Sequence, residues 1–305
     1  MTTATIVPSP GRAPFLDNAA LIGSMLIWAV GFPVADTLLA RLPPVGVTVL
    51  RLVFAAAFLL PVWLLADGWR EARRAPWARG LFVGALGMGA GALLLIYGQS
   101  RTDGITTAVI AATMPIVGIA LERVFDGRRL SWRVFLGITL SVAGGLAVYG
   151  SRMGHLNVGL GAASVLASVV IFAWASRASV TALPGISAIG RTAITIAGGL
   201  LTVIAVQAIL PLAGGAPFPW SRIGLDELGL SAIYGIGAMA ISQVLFLYAV
   251  AGVGITVAAM HINVAPFYVM VLAAMLGADW SWGQVAATGL VVLGVLIAQT
   301  GRLRA

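Results

Sequence analysis

The chain has 305 residues, of which 60% are hydrophobic and only 9% charged, and its mean hydropathy is +1.03. A soluble domain carries about 25% charged residues, so this composition excludes an ordinary water-soluble globular protein. The net charge of +8 comes from arginine without any lysine, and the absence of cysteine excludes disulfides and thiolate metal sites.

Residues 1–16 read as a polar tail, expected to be disordered, with Pro8, Pro10 and Pro14. Ten apolar blocks follow, at about 18–39, 46–66, 77–97, 103–123, 131–150, 157–178, 186–210, 228–249, 255–276 and 281–300. Each holds roughly the 20 residues that cross ~30 Å of hydrocarbon as helix. A porin-like barrel is excluded, because its strands would alternate apolar and polar residues at period two. The first block is too long for a signal-peptide core and has no obvious cleavage site after it. Loops are brief, with 67–79 and 211–227 the longer ones; the PLAGGAPFP run in the latter argues against regular helix.

The segment from Tyr97 to Gly145 is written twice. Gly104-Ile105-Thr106 returns as Gly254-Ile255-Thr256, Ser131-Trp132 as Ser281-Trp282, and Gly144 as Gly294. Tyr97 and Pro115 return as Tyr248 and Pro266, one residue out of step with the others. Such duplication halves the chain into a first five-helix repeat over 1–152 and a second over 153–305. An odd number of spans per copy turns the second upside-down, and inverted repeats are a common construction of secondary transporters. The expected fold is therefore an all-α polytopic membrane protein of ten helices in two inverted five-helix repeats.

The arginines orient it. Arg70, Arg73, Arg74, Arg79, Arg123, Arg128, Arg129, Arg133 and Arg177 fall on the side of both termini, together with Arg12, Arg302 and Arg304. Arg41, Arg101, Arg152 and Arg222 fall on the other. The positive-inside bias puts both termini in the cytoplasm. Because the positive charge sits in loops, it does not call for a nucleic-acid partner. Arg51 and Arg191 lie about a turn and a half into spans two and seven, from where both can snorkel to an interface; the alternative is that they attract a carboxylate at the mouth of a pathway.

Chemistry within the membrane is sparse. The acidic residues lie in tails, loops or span ends, among them Asp17, Asp36, Asp67, Asp103, Glu122, Glu227 and Asp279. This counts against exchange of lipophilic cations at a buried carboxylate. With only His155 and His261, neither a nucleophile–base pair nor a zinc site can be assembled, so no catalytic residue, metal or cofactor is expected. The candidate substrate-binding residues are neutral or weakly basic: His261 and Asn263 just before Pro266, and Gln243 in mid-span beside Ser242. Ser24, Trp28 and Phe32 share one helical stripe, as do Ser164, Ser168 and Phe172, with Trp174 nearby. Tyr97 and Tyr248, the repeat-paired tyrosines, complete the set. Interhelical hydrogen bonding or core packing is the ordinary alternative for each. Pro115 and Pro266 sit near the middle of spans four and nine, where each removes a backbone donor and is expected to kink its helix toward a cavity. Trp63, Trp132, Trp220, Trp280 and Trp282 read as interfacial anchors. Gly80, Gly84, Gly87 and Gly91 form two G-x-x-x-G pairs suited to close helix packing.

Arg51 leading to Pro61, the run DGITTAVIAATMP and the segment GRRLSWRVFLGITLSVAGG with its copy near 254–294 carry a family resemblance. The chain resembles EamA-type members of the drug/metabolite transporter superfamily, particularly the YddG-type amino-acid exporters. These often have an acidic residue in a G-E-R-L-S pattern after spans four and nine; here Gly127-Arg128-Arg129-Leu130-Ser131 and Gly277-Ala278-Asp279-Trp280-Ser281 stand there. The resemblance implies ten helices, with spans 1–4 and 6–9 around a central cavity. It also implies a secondary transporter that exports amino acids, aromatic or other bulky neutral ones, by alternating access. Its partners would be a small-molecule substrate and the lipid bilayer. The rivals are export of another metabolite, such as a nucleoside or drug-like solute, and a non-transporting membrane scaffold.

Overall fold

The computed structural model describes residues 14–127, residues 159–277 except 216 and 219, and scattered positions in 132–143 and 280–297. The expected fifth and tenth spans, most of the expected tail, and Arg128, Arg129, His155 and Asp279 lie largely or wholly outside the described residues. All regular structure among the described residues is helical.

Helix α1 (Pro14–Leu39) takes in the last residues expected in the tail, because it starts at Pro14. A first-turn proline has its φ preset for helix and lacks only an N–H that would be unpartnered there. Helix α2 (Pro44–Asp67) starts the same way and ends at Gly68, whose φ of 84° costs glycine nothing. The loop expected after it holds a short helix, α3 (Trp69–Arg74). The third span is compound: α4 (Trp77–Gly84), a π-helical stretch (Ala85–Ala90) and α5 (Gly91–Arg101). The fourth is broken into α6 (Gly104–Ala111) and α7 (Met114–Asp126).

The second half begins with α8 (Leu160–Ala182) and α9 (Ala188–Ile209), the latter capped by Ser187, whose Oγ accepts the Gly190 N–H at 3.0 Å. As its glycines and prolines predict, the next loop holds only 3-10 turns, at Leu210–Ala213 and Trp220–Arg222. Helix α10 (Leu225–Ala232), a second π-helical stretch (Ile233–Ile241), α11 (Ser242–Ile262) and α12 (Ala265–Met275) follow. Gly254, at φ 80°, turns the chain inside α11, so a single residue separates the expected eighth and ninth spans. Six described segments are long and apolar enough to cross a membrane: Phe15–Leu39, Pro44–Asp67, Trp77–Arg101, Leu160–Ala182, Ala188–Ala213 and Leu225–Ile255.

The irregularities come in pairs at the spacing of the duplication. The two π-helical stretches fall in the third and eighth expected spans. The breaks after Ala111 and after Ile262 are closed by the same tightened bonds, Thr113 N–H to Ile110 O and Val264 N–H to His261 O, both near 3.0 Å. Pro115 and Pro266 occupy the second residue of the half-helix beyond each break. The expected kink is thus a break, and each proline sits in a first turn where its missing donor goes unneeded.

Glycine sets how closely the spans approach. A Cβ on Gly80 would strike Ile194, and one on Gly84 would strike the Thr195 carbonyl, both on α9. On Gly87 and Gly91 it would meet Ala175 and Ile171 of α8. The two G-x-x-x-G pairs therefore serve two different neighbours. Gly198 and Gly199 return the fit from α9, against the backbone of Leu81 and Met88. Where α2 ends and α9 begins, Trp63 Nε1 donates to Asp67 Oδ2 at 2.9 Å and Ser187 Oγ donates to the same carboxylate. Trp63 is only 1% exposed and packs on Trp77, so it is a core residue rather than the expected interfacial anchor.

Gly84→Ala forces backbone against backbone and is expected to cost about 1–3 kcal/mol. Gly229→Ala meets open space within a helix and should not destabilise. Thermal unfolding of both variants in detergent compares them; equal melting temperatures would mean that the α4–α9 seam yields.

Candidate functional site

A cavity with about 790 Å³ of empty space, counted out to its mouth, lies among α1, α2, the third span, α7, α8 and the two segments on either side of Ile241. Both π-helical stretches reach it, through Gly87 and Met88 from one and Tyr234, Ala238 and Met239 from the other. A π-helical turn shifts the register of a helix face, and such turns recur at functional sites.

Its wall is mostly apolar. Trp28, Phe172 and Phe246 supply aromatic surface, with Phe172 and Phe246 packed ring to ring at 5.8 Å and Trp28 edge-on to Phe32 at 4.8 Å. Three serine hydroxyls interrupt it. Ser24 Oγ donates to Ser242 O at 2.8 Å and lies 3.2 Å from the Ser242 hydroxyl, which ties α1 to α11. Ser168 Oγ donates to Gly91 O at 2.7 Å, accepting proximity to the end of the first π stretch. Gln243 also lines the cavity, and its buried amide nitrogen has no hydrogen-bond partner in the protein.

Arg51 is the surprise. Snorkelling would carry its guanidinium to an interface, yet the residue is 5% exposed and lines the cavity. Its Nη1 donates to the Tyr234 hydroxyl, its guanidinium lies 4.9 Å from the centre of the Tyr234 ring, and its Nε has no partner. A cation over a desolvated aromatic face gains about 2 kcal/mol, which offsets only part of burying the charge. Arg191, its sequence counterpart, lies instead near the start of α9, where Nε donates to Ile186 O at 2.8 Å beside Asp67 and Glu71.

Of the sequence-derived candidates, the cavity brings together Trp28, Ser168 and Gln243. His261, Asn263, Trp174, Tyr97 and Tyr248 are not among its lining residues. The His261 ring lies along its own helix, with Nδ1 3.0 Å from Val257 O. Asn263 is wholly buried at the helix break, and neither amide atom has a partner; the residue before it, Ile262, is the one that reaches the cavity. Tyr97 lies under Arg101, 5.3 Å from ring centre to guanidinium. The sequence offers Arg51 only as the alternative to snorkelling, a carboxylate-attracting residue at a pathway mouth, and does not point to Tyr234 or Phe246. The glycine- and methionine-containing runs LGMGAG and YGIGAMA, which become the π stretches, are the sequence signal that marks their neighbourhood. The span-end carboxylates are held by partners: Asp36 accepts from Gln99 Nε2 at 2.8 Å and from the Gly104 N–H at 3.1 Å, and Glu227 pairs with Arg41 at 2.8 Å.

The matched sequence now has a place in space, since the first four spans wall one side of the cavity. Residues 18–150 match the EamA-like transporter family. The chain also resembles a protein from Streptantibioticus cattleyicolor described as a probable terminal-alkyne amino-acid exporter, at 31% identity over 156 residues. That alignment covers 50% of this chain and half the length of the relative. A solved crystal structure of a protein superposes with a TM-score of 0.73 at 21% identity, across 93% of this chain and 96% of the other, which shows a common fold. With six described segments long and apolar enough to cross a membrane, and a transporter-family match over residues 18–150, the chain is a multi-pass membrane protein.

The two breaks generate a prediction. Because Pro115 and Pro266 sit in first turns, Pro→Ala at either adds a donor and breaks no backbone hydrogen bond, at the cost of some packing at a buried position. Folded yield by gel filtration is expected to stay near wild type while solute flux falls; a loss of yield equal to the loss of flux would make the prolines purely structural.

Proposed function

We propose that this chain is a bacterial inner-membrane secondary transporter that exports amino acids, aromatic or other bulky neutral ones, by alternating access. The observation that carries this reading is the cavity itself, where irregular segments from both halves of the chain meet around aromatic surface and hydrogen-bonding groups. Such a lining suits a zwitterion with an apolar side chain. The exporter name of the Streptantibioticus cattleyicolor relative supports the substrate class, and the transporter-family match favours transport over catalysis.

In this reading the chain is ten helices in two inverted five-helix repeats, 1–152 and 153–305, and the paired breaks and π stretches support that division. Exchanging the conformations of the halves would open the cavity first to one side and then to the other. The substrate would lie against Trp28 and Phe172, within reach of Ser168 and Gln243. His261, Asn263, Trp174, Tyr97 and Tyr248 stand outside the cavity in this conformation, and we assign His261 and Asn263 to shaping the break before Pro266.

Counterflow of radiolabelled amino acids in proteoliposomes tests the function. Wild type should exchange aromatic amino acids, and Trp28→Ala and Gln243→Leu should each lower that exchange about tenfold. Exchange of nucleosides in place of amino acids would hand the cavity to the rival substrate class. If His261→Leu loses as much as Gln243→Leu, the site extends to the break.

Orientation is tested separately. In this cysteine-free chain, an impermeant thiol reagent applied to intact cells is expected to label Ala213→Cys and to spare Arg73→Cys, both at exposed positions. The reverse pattern would invert the topology.

A further inference from the structure

Among the described lining residues of the cavity, Arg51 is the one cation and no Asp, Glu, His or Lys accompanies it; the one other titratable group there is the Tyr234 phenol. The hydrogen bond and ring contact from Tyr234 account for one face and one nitrogen of the guanidinium. They leave its Nε–H unpartnered at a residue 95% removed from solvent, since only 5% is exposed. Gln243, which lines the same cavity, carries a second buried N–H group without a partner among the described residues. Both are donors, and a buried donor without an acceptor is expensive enough that folded proteins rarely keep one.

We propose that Arg51, held in place by Tyr234, is the anchor for a substrate carboxylate, and that Gln243 supplies a further hydrogen bond to the same ligand. The guanidinium fork matches a carboxylate's two oxygens, and such charge-assisted pairs are the strong ones. Tyr234 is a positioning residue: its ring and hydroxyl fix the direction in which the fork points. This deepens the transport reading and rests on it, by naming the feature that substrates must share. Arg51 lies in the second turn of α2, and Tyr234 is the second residue of the π stretch that follows α10. Both therefore sit toward the end of the cavity nearest Pro44 and Leu225. Trp28 and Phe172 line the same space, so a carboxylate seated on Arg51 leaves an apolar side chain to lie on the aromatic wall. The chemistry excludes cations: an amine lacking the carboxylate meets an uncompensated positive charge.

The arrangement could instead be structural, with Arg51 merely cementing α2 to the π stretch through Tyr234. The two roles differ in what they discriminate. A structural arginine affects how much protein folds, whereas a recognition arginine determines whether the acid is preferred to its ester.

The test is equilibrium binding to purified full-length protein in nanodiscs, using a panel of L-amino acids and their methyl esters, with arylethylamines as carboxylate-free probes. Wild type is expected to bind at least one amino acid about tenfold or more tightly than its ester, and to bind the amine no better than the ester. Arg51→Met should abolish the acid–ester difference, Arg51→Lys should keep part of it, and Tyr234→Phe should reduce it with folded yield intact. Should Arg51→Met fail to fold, the wild-type comparison and the other two variants still decide. An ester bound as tightly as its acid, an unchanged ratio in Arg51→Met or Arg51→Lys and Tyr234→Phe alike, or no binding of any amino acid would overturn the assignment. Wild type that binds acids through Arg51 but does not exchange them in proteoliposomes would overturn the exporter reading and leave the Arg51 assignment standing.

Discussion

In hydrocarbon, a backbone N–H or C=O that leaves the helical ladder has no water to turn to. Irregular backbone survives at membrane depth only where protein or a cavity covers it. Among the described residues, the two π stretches and the breaks before Pro115 and Pro266 obey this. The π-helical stretches at Ala85–Ala90 and Ile233–Ile241 both face the cavity. The breaks at 112–113 and 263–264 are roofed by buried residues on both sides, including Ala111, Met114, Ile262 and Ala265. The π stretches border the cavity, as do Ala111, Met114 and Ile262 beside the breaks, while Asn263 is buried outside its lining.

The same constraint shapes the seams that hold the bundle around it. Lipid tails are as apolar as leucine, so helices gain little from hiding leucine alone and must gain from close contact. The glycines of the third span meet α9 on one side and α8 on the other, close enough that no Cβ fits. The α1–α11 contact is different in kind, with the Ser24 and Ser242 hydroxyls joined beside the cavity. A backbone-to-backbone seam has one arrangement, while a hydroxyl pair can re-form after a small slide. Any opening movement is therefore cheaper along α1–α11 than along α4–α9.

Much of this was legible in the sequence, and the parts that were not share a cause. Span lengths follow from hydropathy, and the duplication located the paired prolines whose environment proved equivalent. What hydropathy does not carry is the direction in which a residue points. Trp63 and Arg51 each lie near a span end, where anchoring and snorkelling are the usual fates of tryptophan and arginine. Trp63 turns inward because Asp67, one helical turn on, accepts its N–H. Arg51 turns inward because Tyr234, 183 residues away, offers a hydroxyl and a ring face. The first partner is local and could have been read from the i, i+4 spacing; the second belongs to the tertiary fold. His261 shows the converse: polar and mid-span in sequence, it lies along its own helix, 3.0 Å from Val257 O, and does not reach the cavity.

The distribution of charge then separates structural from functional polarity. At the helix ends, charged groups are met by partners on neighbouring elements: Asp67 by Ser187, Asp36 by Gln99 and the Gly104 amide, Glu227 by Arg41. These contacts join spans that are distant in sequence, and the protein supplies donor and acceptor alike. Inside the cavity the balance is different. Donors outnumber the acceptors offered to them, since Arg51 Nε and the Gln243 amide nitrogen are both left over. A bundle selected only for stability would fill that volume with apolar side chains, because replacing a buried charge by hydrophobic packing is often neutral or stabilising. Keeping an arginine there, braced by a tyrosine from the other half of the chain, makes sense when the missing acceptor arrives from outside.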